Sequence, residues 1–305
     1  MSYQSVGSPR FYMNMHEYFH RIGKADYGDD AEKILTLPVL HHRAQYTTIK
    51  NTFGTMGLQK NFLALLNCDA SKGLQVNDTD LTEIAGNGTE DGFRIGTFTF
   101  NPTSSAKITG EAGSLILGIY YDLDAPNVSL TMEREYASNV KETTSYLGSS
   151  FSNTYSMPNY WGDRSKWEMG GGYRLGSSAR RIWNLSWSFL ELREVLGVNQ
   201  LYSGLLNTGG DTTSGYLSSD INSSNNQFSV ANTTDPTFYN QVLKSSLFGQ
   251  IPFIFQPNYN SSDSTNEGGN APDQFAICKI KNKSIKVTQT APELYNMSLT
   301  IEEVW

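Results

Sequence analysis

Arg180-Arg181-Ile182-Trp183-Asn184-Leu185-Ser186-Trp187-Ser188-Phe189-Leu190 is the stretch that decides the fold. Trp183, Leu185, Trp187 and Phe189 alternate with Asn184, Ser186 and Ser188. A half-buried strand requires that period of two, because successive side chains leave opposite faces. Two Trp rings and Phe189 load one face with apolar area. The other face offers no nucleophile, base or metal ligand beyond Ser hydroxyls, which are weak without activation. The stretch therefore reads as β scaffold and not as an active-site element.

Working outward, the same text recurs. Phe62-Leu63-Ala64-Leu65-Leu66 is a short apolar run suited to a central strand, and Phe93 to Phe100 alternates. Ser114 to Tyr121 is a second buried run, closed by Asp122-Leu123-Asp124-Ala125-Pro126. Further strands are expected at 128–135, 141–146, 251–256, 275–280, 284–288 and 295–305. In the last, Met297, Leu299, Ile301 and Glu303 alternate with Ser298, Thr300 and Glu302. Turn clusters such as Gly86-Asn87-Gly88 and Asn101-Pro102 lie between. A helix is expected near the start, with Ser8 as cap, Pro9 in the first turn, and Phe11, Met15, Tyr18 and Ile22 at helical spacing. In the insert, Leu192, Val195, Leu196, Tyr202 and Leu205 suggest a helix, and a second short helix is expected from Asp235-Pro236, carrying Phe238, Val242 and Leu247 and ending at Gly249. Between them, 207–234 is rich in Ser, Asn, Gly and Thr and reads as an exposed excursion.

The expected fold class is all-β: two β-sandwich or jelly-roll-like units, with an N-terminal helix and a helical, flexible insert in the second unit. Residues 1–45 form an N-terminal arm with the short helix. Residues 46–126 form the first unit, and residues 127–305 the second, with its insert at 191–249. Composition agrees. In 305 residues only 38% are apolar and 17% charged, and Asn, Ser, Thr and Gly take the remainder, as in short strands joined by polar turns. The formal charge of −7 argues against nucleic acid as a partner. No window approaches the run of about 18 apolar residues of a membrane span, and the first residues lack the pattern of a signal peptide. Cys68 and Cys278, far apart in sequence, read as buried thiols of a protein folded in a reducing cytoplasm.

The loudest motif is His16-Glu17-Tyr18-Phe19-His20, a literal H-E-x-x-H. On a helix two His four apart share a face and can hold one zinc ion, with the Glu activating a bound water. Gly23 and Asp26 extend it to H-E-x-x-H-x-x-G-x-x-D, which resembles the metzincin zinc signature with Asp26 as third ligand. Three points set this reading aside. Only 15 residues precede His16, too few for the sheet that backs the helix in such proteases. The apolar stripe of the helix makes His16 and His20 residues of its edge. Met56, where a Met-turn would fall, has only its flanking glycines to suggest a turn.

Other candidate chemistry is thinner. His41 and His42 are adjacent, so on a strand they face opposite sides. Asp122, Asp124, Glu133 and Glu135 form an acidic group, but Asp122 and Asp124 precede Pro126 and read as turn residues. No G-x-S-x-G, P-loop or G-x-G-x-x-G after a strand is present. Tyr160, Trp161 and Trp167 sit in a loop where they suit a subunit interface or, as the alternative, stacking on sugar rings. Arg180 and Arg181 read as interface candidates too, or as charges that block edge pairing.

Several of these segments carry a resemblance. Leu117 to Asp122, Asn127 to Tyr136, and Arg180 to Leu190 are similar to a family of tail-associated virion proteins of tailed, mostly marine, bacteriophages. Phe275 to Lys279, Gln289 to Tyr295 and Leu299 to Trp305 resemble that family's C-terminus, and Pro9 to Tyr12 and Asn61 to Asn67 also fit. Phe62 to Asn67 resembles a strand of discoidin-like jelly-roll domains. The resemblance implies a non-enzymatic structural protein of the virion, at the tail tip or baseplate or in another tail ring, assembled in the host cytoplasm. Its partners would be copies of itself in a homo-oligomeric ring and other tail proteins, and no cofactor is implied. A glycan-binding receptor module and a capsid decoration protein are the alternatives.

Overall fold

The computed structural model describes residues 5–21, 44–46, 49–50, 61–68, 74–76, 79–80, 83–85, 92–98, 105–108, 110–112, 114–135, 142–152, 180–191, 195, 237–264, 267–271, 274–292 and 294–304. In chain order the first half holds β1 (Arg10–Asn14), α1 (Met15–Arg21), β2 (Ala44–Tyr46), β3 (Ile49–Lys50), β4 (Asn61–Cys68), β5 (Leu74–Val76), β6 (Thr79–Asp80), β7 (Glu83–Ala85), β8 (Gly92–Phe98), β9 (Ser105–Ile108), β10 (Gly110–Ala112) and β11 (Ser114–Asp122). The second half adds β12 (Thr131–Glu135), β13 (Glu142–Thr144), β14 (Ser150–Ser152), β15 (Arg180–Glu191), β16 (Phe253–Gln256), β17 (Ala276–Ile280), β18 (Val287–Ala291) and β19 (Leu294–Glu303).

Eleven of these strands form one antiparallel sheet in the order β12-β15-β19-β17-β16-β1-β11-β4-β8-β7, with β18 also paired to β19. The fold class is all-β. The strands from either side of residue 126 lie on either side of β1 within that single sheet. Smaller sheets are β10-β2, the hairpin β13-β14, and β3-β9-β5-β6.

Burial on both faces fixes this order. β1 runs between β16 and β11, with Phe11 opposite Phe255 and Tyr121, and Tyr12 opposite Ile254 and Tyr120. All five of its residues are buried. Phe11 and Met13 enter one apolar cluster with Trp183, Phe253, Phe255 and Leu299, whereas Tyr12 enters a second with Phe62, Ile95, Ile254 and Phe275. Alternate residues of β1, β16 and β17 divide between the clusters, so the two lie on opposite faces of the sheet.

The start of the chain corrects the expected N-terminal helix. The chain enters as strand β1, and among the described residues of this segment helix begins only at Met15 and runs to Arg21. A strand buried on both faces shows no polar alternation, so Phe11 and Met15 fitted a helical stripe equally well. Asn14 starts the helix by accepting the Glu17 N–H on its Oδ1 at 3.0 Å, which satisfies one of the free first-turn donors. Gly118 of β11 makes room for this passage, since a Cβ there would lie 2.0 Å from the Met13 carbonyl oxygen.

The Trp strand, β15, lies between β12 and β19 and is not at an edge. Trp183, Leu185 and Trp187 are buried as the alternation requires. Phe189 is not: it is 73% exposed, with a φ of 83°. The register with β19 shifts between Ser188 and Leu190, and Leu190 takes the buried place instead. The final strand keeps its expected alternation, with Met297, Leu299, Ile301 and Glu303 all buried. The expected second helix is present as a π-helix, Tyr239–Lys244, that buries Val242 and Leu243; Phe238 before it is buried too. A tight turn follows in which Leu247, Phe248 and Gly249 take φ values of 48°, 56° and 85°. Of the expected insert, residues 192–194 and 196–236 lie outside the described residues.

Candidate functional site

The charged side chains of the described residues mainly tie strands together. Arg181 is buried and donates to Glu303 through Nη2 at 2.9 Å and Nε at 3.0 Å, and to the Phe275 carbonyl at 2.9 Å. Glu303 also accepts the Arg181 backbone N–H at 2.9 Å. This links β15, β19 and the residue that leads into β17. Arg181 is thus engaged inside the chain, and β15 has no edge for it to block. Arg180 opens the same strand, and its side chain lies outside the described residues.

Arg10 is the second such node. It binds Asp122 with both Nε and Nη2, the latter at 2.9 Å, and lies over the rings of Tyr120 at 4.0 Å and Tyr259 at 3.3 Å. Burial alone would lower its pKa, but the Asp122 hydrogen bond and nearby tyrosines outweigh this, and the guanidinium is held above its ordinary value. Tyr12 is fully buried and donates to Gln256 Oε1 at 2.9 Å, and burial pushes its pKa up. Cys278 is buried, and burial, with Glu303 beside it, pushes the thiol well above its ordinary range. A thiol so held is not a nucleophile at neutral pH.

The remaining sequence candidates divide as follows. His16 and His20 both lie on α1, four apart, but their side chains and Asp26 lie outside the described residues. Glu17, the base of the zinc reading, accepts from Arg21 Nε at 2.6 Å. Among the described residues no three His, Cys, Asp or Glu are placed to hold a metal ion. Of the acidic group, Asp122 binds Arg10, Glu133 accepts from Asn184 Nδ2 at 3.0 Å, and Asp124 offers its backbone carbonyl to Trp187 Nε1 at 2.6 Å. Tyr160, Trp161 and Trp167 lie outside the described residues, as do His41 and His42. No helix among the described residues is long and apolar enough to cross a membrane.

Two features that the sequence reading missed stand out instead. The first is an apolar cleft of about 260 Å³ between the π-helix with its following turn, Val195, and the β17–β18 connection. Tyr239, Leu243, Phe248, Val287 and Met297 form its walls, and Asn282 and Lys283 lie at its polar side. Tyr239 and Phe248 face each other at 6.0 Å between ring centroids. Phe248 remains 62% exposed. The second is the tip of the β13-β14 hairpin, where Tyr146 and Leu147 are 104% and 89% exposed. Adjacent exposed apolar side chains, unlike scattered single ones, mark interaction surfaces. The tip had a legible signal, two apolar residues just before a turn glycine. The cleft had none, because its walls come from four separated segments.

What this arrangement can do chemically is pack and bind apolar groups. Comparison of the chain with protein-family models, with curated proteins and with solved structures finds no match in any of the three.

Proposed function

We propose that this chain is a non-enzymatic structural component of a phage virion, a tail-tip, baseplate or other tail ring protein that holds subunits together. The observation that carries the proposal is the resemblance of three segments, Leu117 to Asp122, Asn127 to Tyr136, and Arg180 to Leu190, to tail-associated virion proteins. These segments include most of β11, all of β12 and all of β15 but its last residue, elements of one large sheet. Support comes from the use of the charged groups: Arg10 with Asp122, and Arg181 with Glu303, join strands distant in sequence. Exposed apolar groups at the hairpin tip and the cleft fit a protein that meets other protein surfaces.

The finer architecture belongs to the same proposal. The strands on either side of β1 are two jelly-roll-like units, 46–126 and 127–305, that share this sheet, and residues 1–45 are an arm with a short helix. The test is the location of the protein in purified particles, by mass spectrometry of tail and capsid fractions and then by imaging with a bound antibody fragment. Signal at the tail supports the proposal. Signal over the capsid shell would favour a decoration protein, and absence from particles overturns the reading.

A further inference from the structure

We propose that the face of the large sheet beside Phe189 binds a neutral sugar, with the Phe189 ring as a stacking platform and Asn127, Ser188, Asn296 and Thr288 as a row of polar partners. This ligand goes beyond the structural role proposed above and does not depend on it.

Phe189 is held at a φ of 83° and is 73% exposed. A bulky side chain at positive φ is an outlier, and an exposed ring offsets none of that strain by burial. The register between β15 and β19 shifts between Ser188 and Leu190, and Leu190 takes the buried place. Bulges next to functional sites re-aim a side chain, and backbone strain persists where a function uses it. Here the bulge takes an aromatic ring off the core face and gives it to solvent.

The row next to it is polar and incompletely used. Asn296 of β19 lies opposite Ser188 of β15 and opposite Thr288 of β18, so the row crosses three strands. Asn127 donates from Nδ2 to Ser188 Oγ at 2.8 Å and extends the row on the β15 side. Trp187 and Met297, the chain neighbours of Ser188 and Asn296, are buried in the core, so the row lies on the other face. Thr288 is exposed, and Asn127, Ser188 and Asn296 are half-buried. Asn296 Oδ1 is shut off from water and has no hydrogen-bond partner among the described residues. A polar atom left in this state calls for a reason, and a ligand that draws the amide toward itself supplies the missing bond.

A sugar matches both parts. The C–H face of its ring stacks on an aromatic ring. Its hydroxyls donate and accept, and so do the amides of Asn127 and Asn296 and the hydroxyls of Ser188 and Thr288. A protein partner fits less well, because a stable interface needs roughly 800 Å² per partner around an apolar centre, and the residues beside Phe189 are Ser, Asn and Thr. A neutral sugar fits better than an acidic one. The row holds no charged side chain, the exposed Glu191 stands two residues from Phe189, and the chain carries a formal −7.

The experiment is saturation-transfer NMR on the full chain with glucose, galactose, mannose and N-acetylglucosamine, each in large excess, followed by titration of every sugar that shows transfer. At least one is expected to bind. Phe189→Gly removes the ring and relieves the backbone, so it is expected to weaken binding by about tenfold or more while the unfolding midpoint holds or rises. Phe189→Leu keeps the strain and removes only the aromatic ring. It is expected to weaken binding as much, and it decides the matter if the Gly variant does not fold. Asn296→Ala is expected to weaken binding by about threefold or more, and Tyr146→Ser, at the hairpin tip, to leave it unchanged. Absence of transfer to all four sugars overturns the site, as does binding that survives both Phe189 variants or that is lost with Tyr146. Transfer to glucuronic or sialic acid alone, in parallel samples, overturns its neutral character. If Phe189→Gly abolishes self-association in sedimentation and leaves sugar transfer unchanged, the ring belongs to a protein interface and the sugar site is overturned. Location of the chain in tail fractions judges the virion reading separately.

Discussion

Arg181 and Glu303 are an ion pair held out of water, with side chains 11% and 6% exposed. Dehydrating both charges offsets most of their attraction, so the pair adds little net stability, yet either charge left alone is costly. Glu303→Ala is therefore expected to destabilise the chain by about 3–5 kcal/mol. It strands a guanidinium beside Trp183, whose ring centroid is 5.4 Å away. Arg181→Met with Glu303→Leu removes both charges and is expected to recover much of that loss. Recovery stays incomplete by about 1–3 kcal/mol, because the Arg181 N–H and the Phe275 carbonyl lose partners too. Urea denaturation of the single and double variants checks this. A double variant no more stable than Glu303→Ala would sink the idea that an uncompensated charge is what hurts. The buried position of Glu303 was legible from its place in the alternation of β19. Its partner was not, since 122 residues separate the two in sequence.

At the scale of elements, β15 shows where a period-two reading succeeds and where it stops. The pattern located the strand and its buried Trp face, but it placed Phe189 in the core. A bulge adds one residue to one strand of a pair and shifts every later side chain to the other face. Period alone gives no sign of it, and Phe is a poor residue at positive φ, so nothing in the text announced the slip. The Asp124 to Asn127 segment packs against this part of β15: Asn127 donates to Ser186 O at 2.8 Å and to Ser188 Oγ at 2.8 Å. β1 failed for the opposite reason, because burial on both faces erased the alternation. The cleft failed for a third, because no pattern within one element reports a site assembled from several. Left-handed backbone costs an L-residue roughly 1–2 kcal/mol, and the greater freedom of Gly in the unfolded chain costs roughly 0.5–1 kcal/mol. Phe189→Gly is thus expected to leave stability unchanged or raise it by about 1 kcal/mol, despite the loss of an aromatic ring. Phe189→Val, β-branched at the same backbone position, is expected to lower it. Thermal unfolding midpoints of the two variants decide; a Gly variant far less stable than wild type would mean that the exposed ring holds a contact that the strain argument ignores.

For the whole molecule, the telling arrangement is the position of β1. Among the described residues, the five residues of β1 are the link in the sheet between β11 and β16, that is, between the strands before residue 126 and those after it. Phe11, Tyr12 and Met13 are all fully buried. At roughly 1.5–3 kcal/mol for each buried side chain, they contribute about 5–9 kcal/mol, comparable to the total stability of about 5–15 kcal/mol typical of a folded domain. Removing them also opens two strand edges, at β16 and β11, each with unpaired backbone groups. Division at residue 126, as the pattern of strands and turns suggested, therefore predicts one outcome and sheet continuity another. Two independent units would let a fragment of residues 127–305 fold alone, with a sharp unfolding transition. Continuity leaves that fragment without the partner of β16 and without Phe11, which packs against Phe253 and Phe255 at 5.7 and 5.2 Å between ring centroids. We expect the fragment to lose its near-ultraviolet circular dichroism and its cooperative transition. Addition of a peptide spanning residues 5–21 is expected to restore part of both, since it returns β1 to the open edge of β16 and Phe11 to the rings of Phe253 and Phe255. A fragment that unfolds cooperatively without the peptide, and with the hydrogen-exchange protection of β16, β17 and β19 seen in the full chain, would show that β1 joins two finished structures and does not complete one.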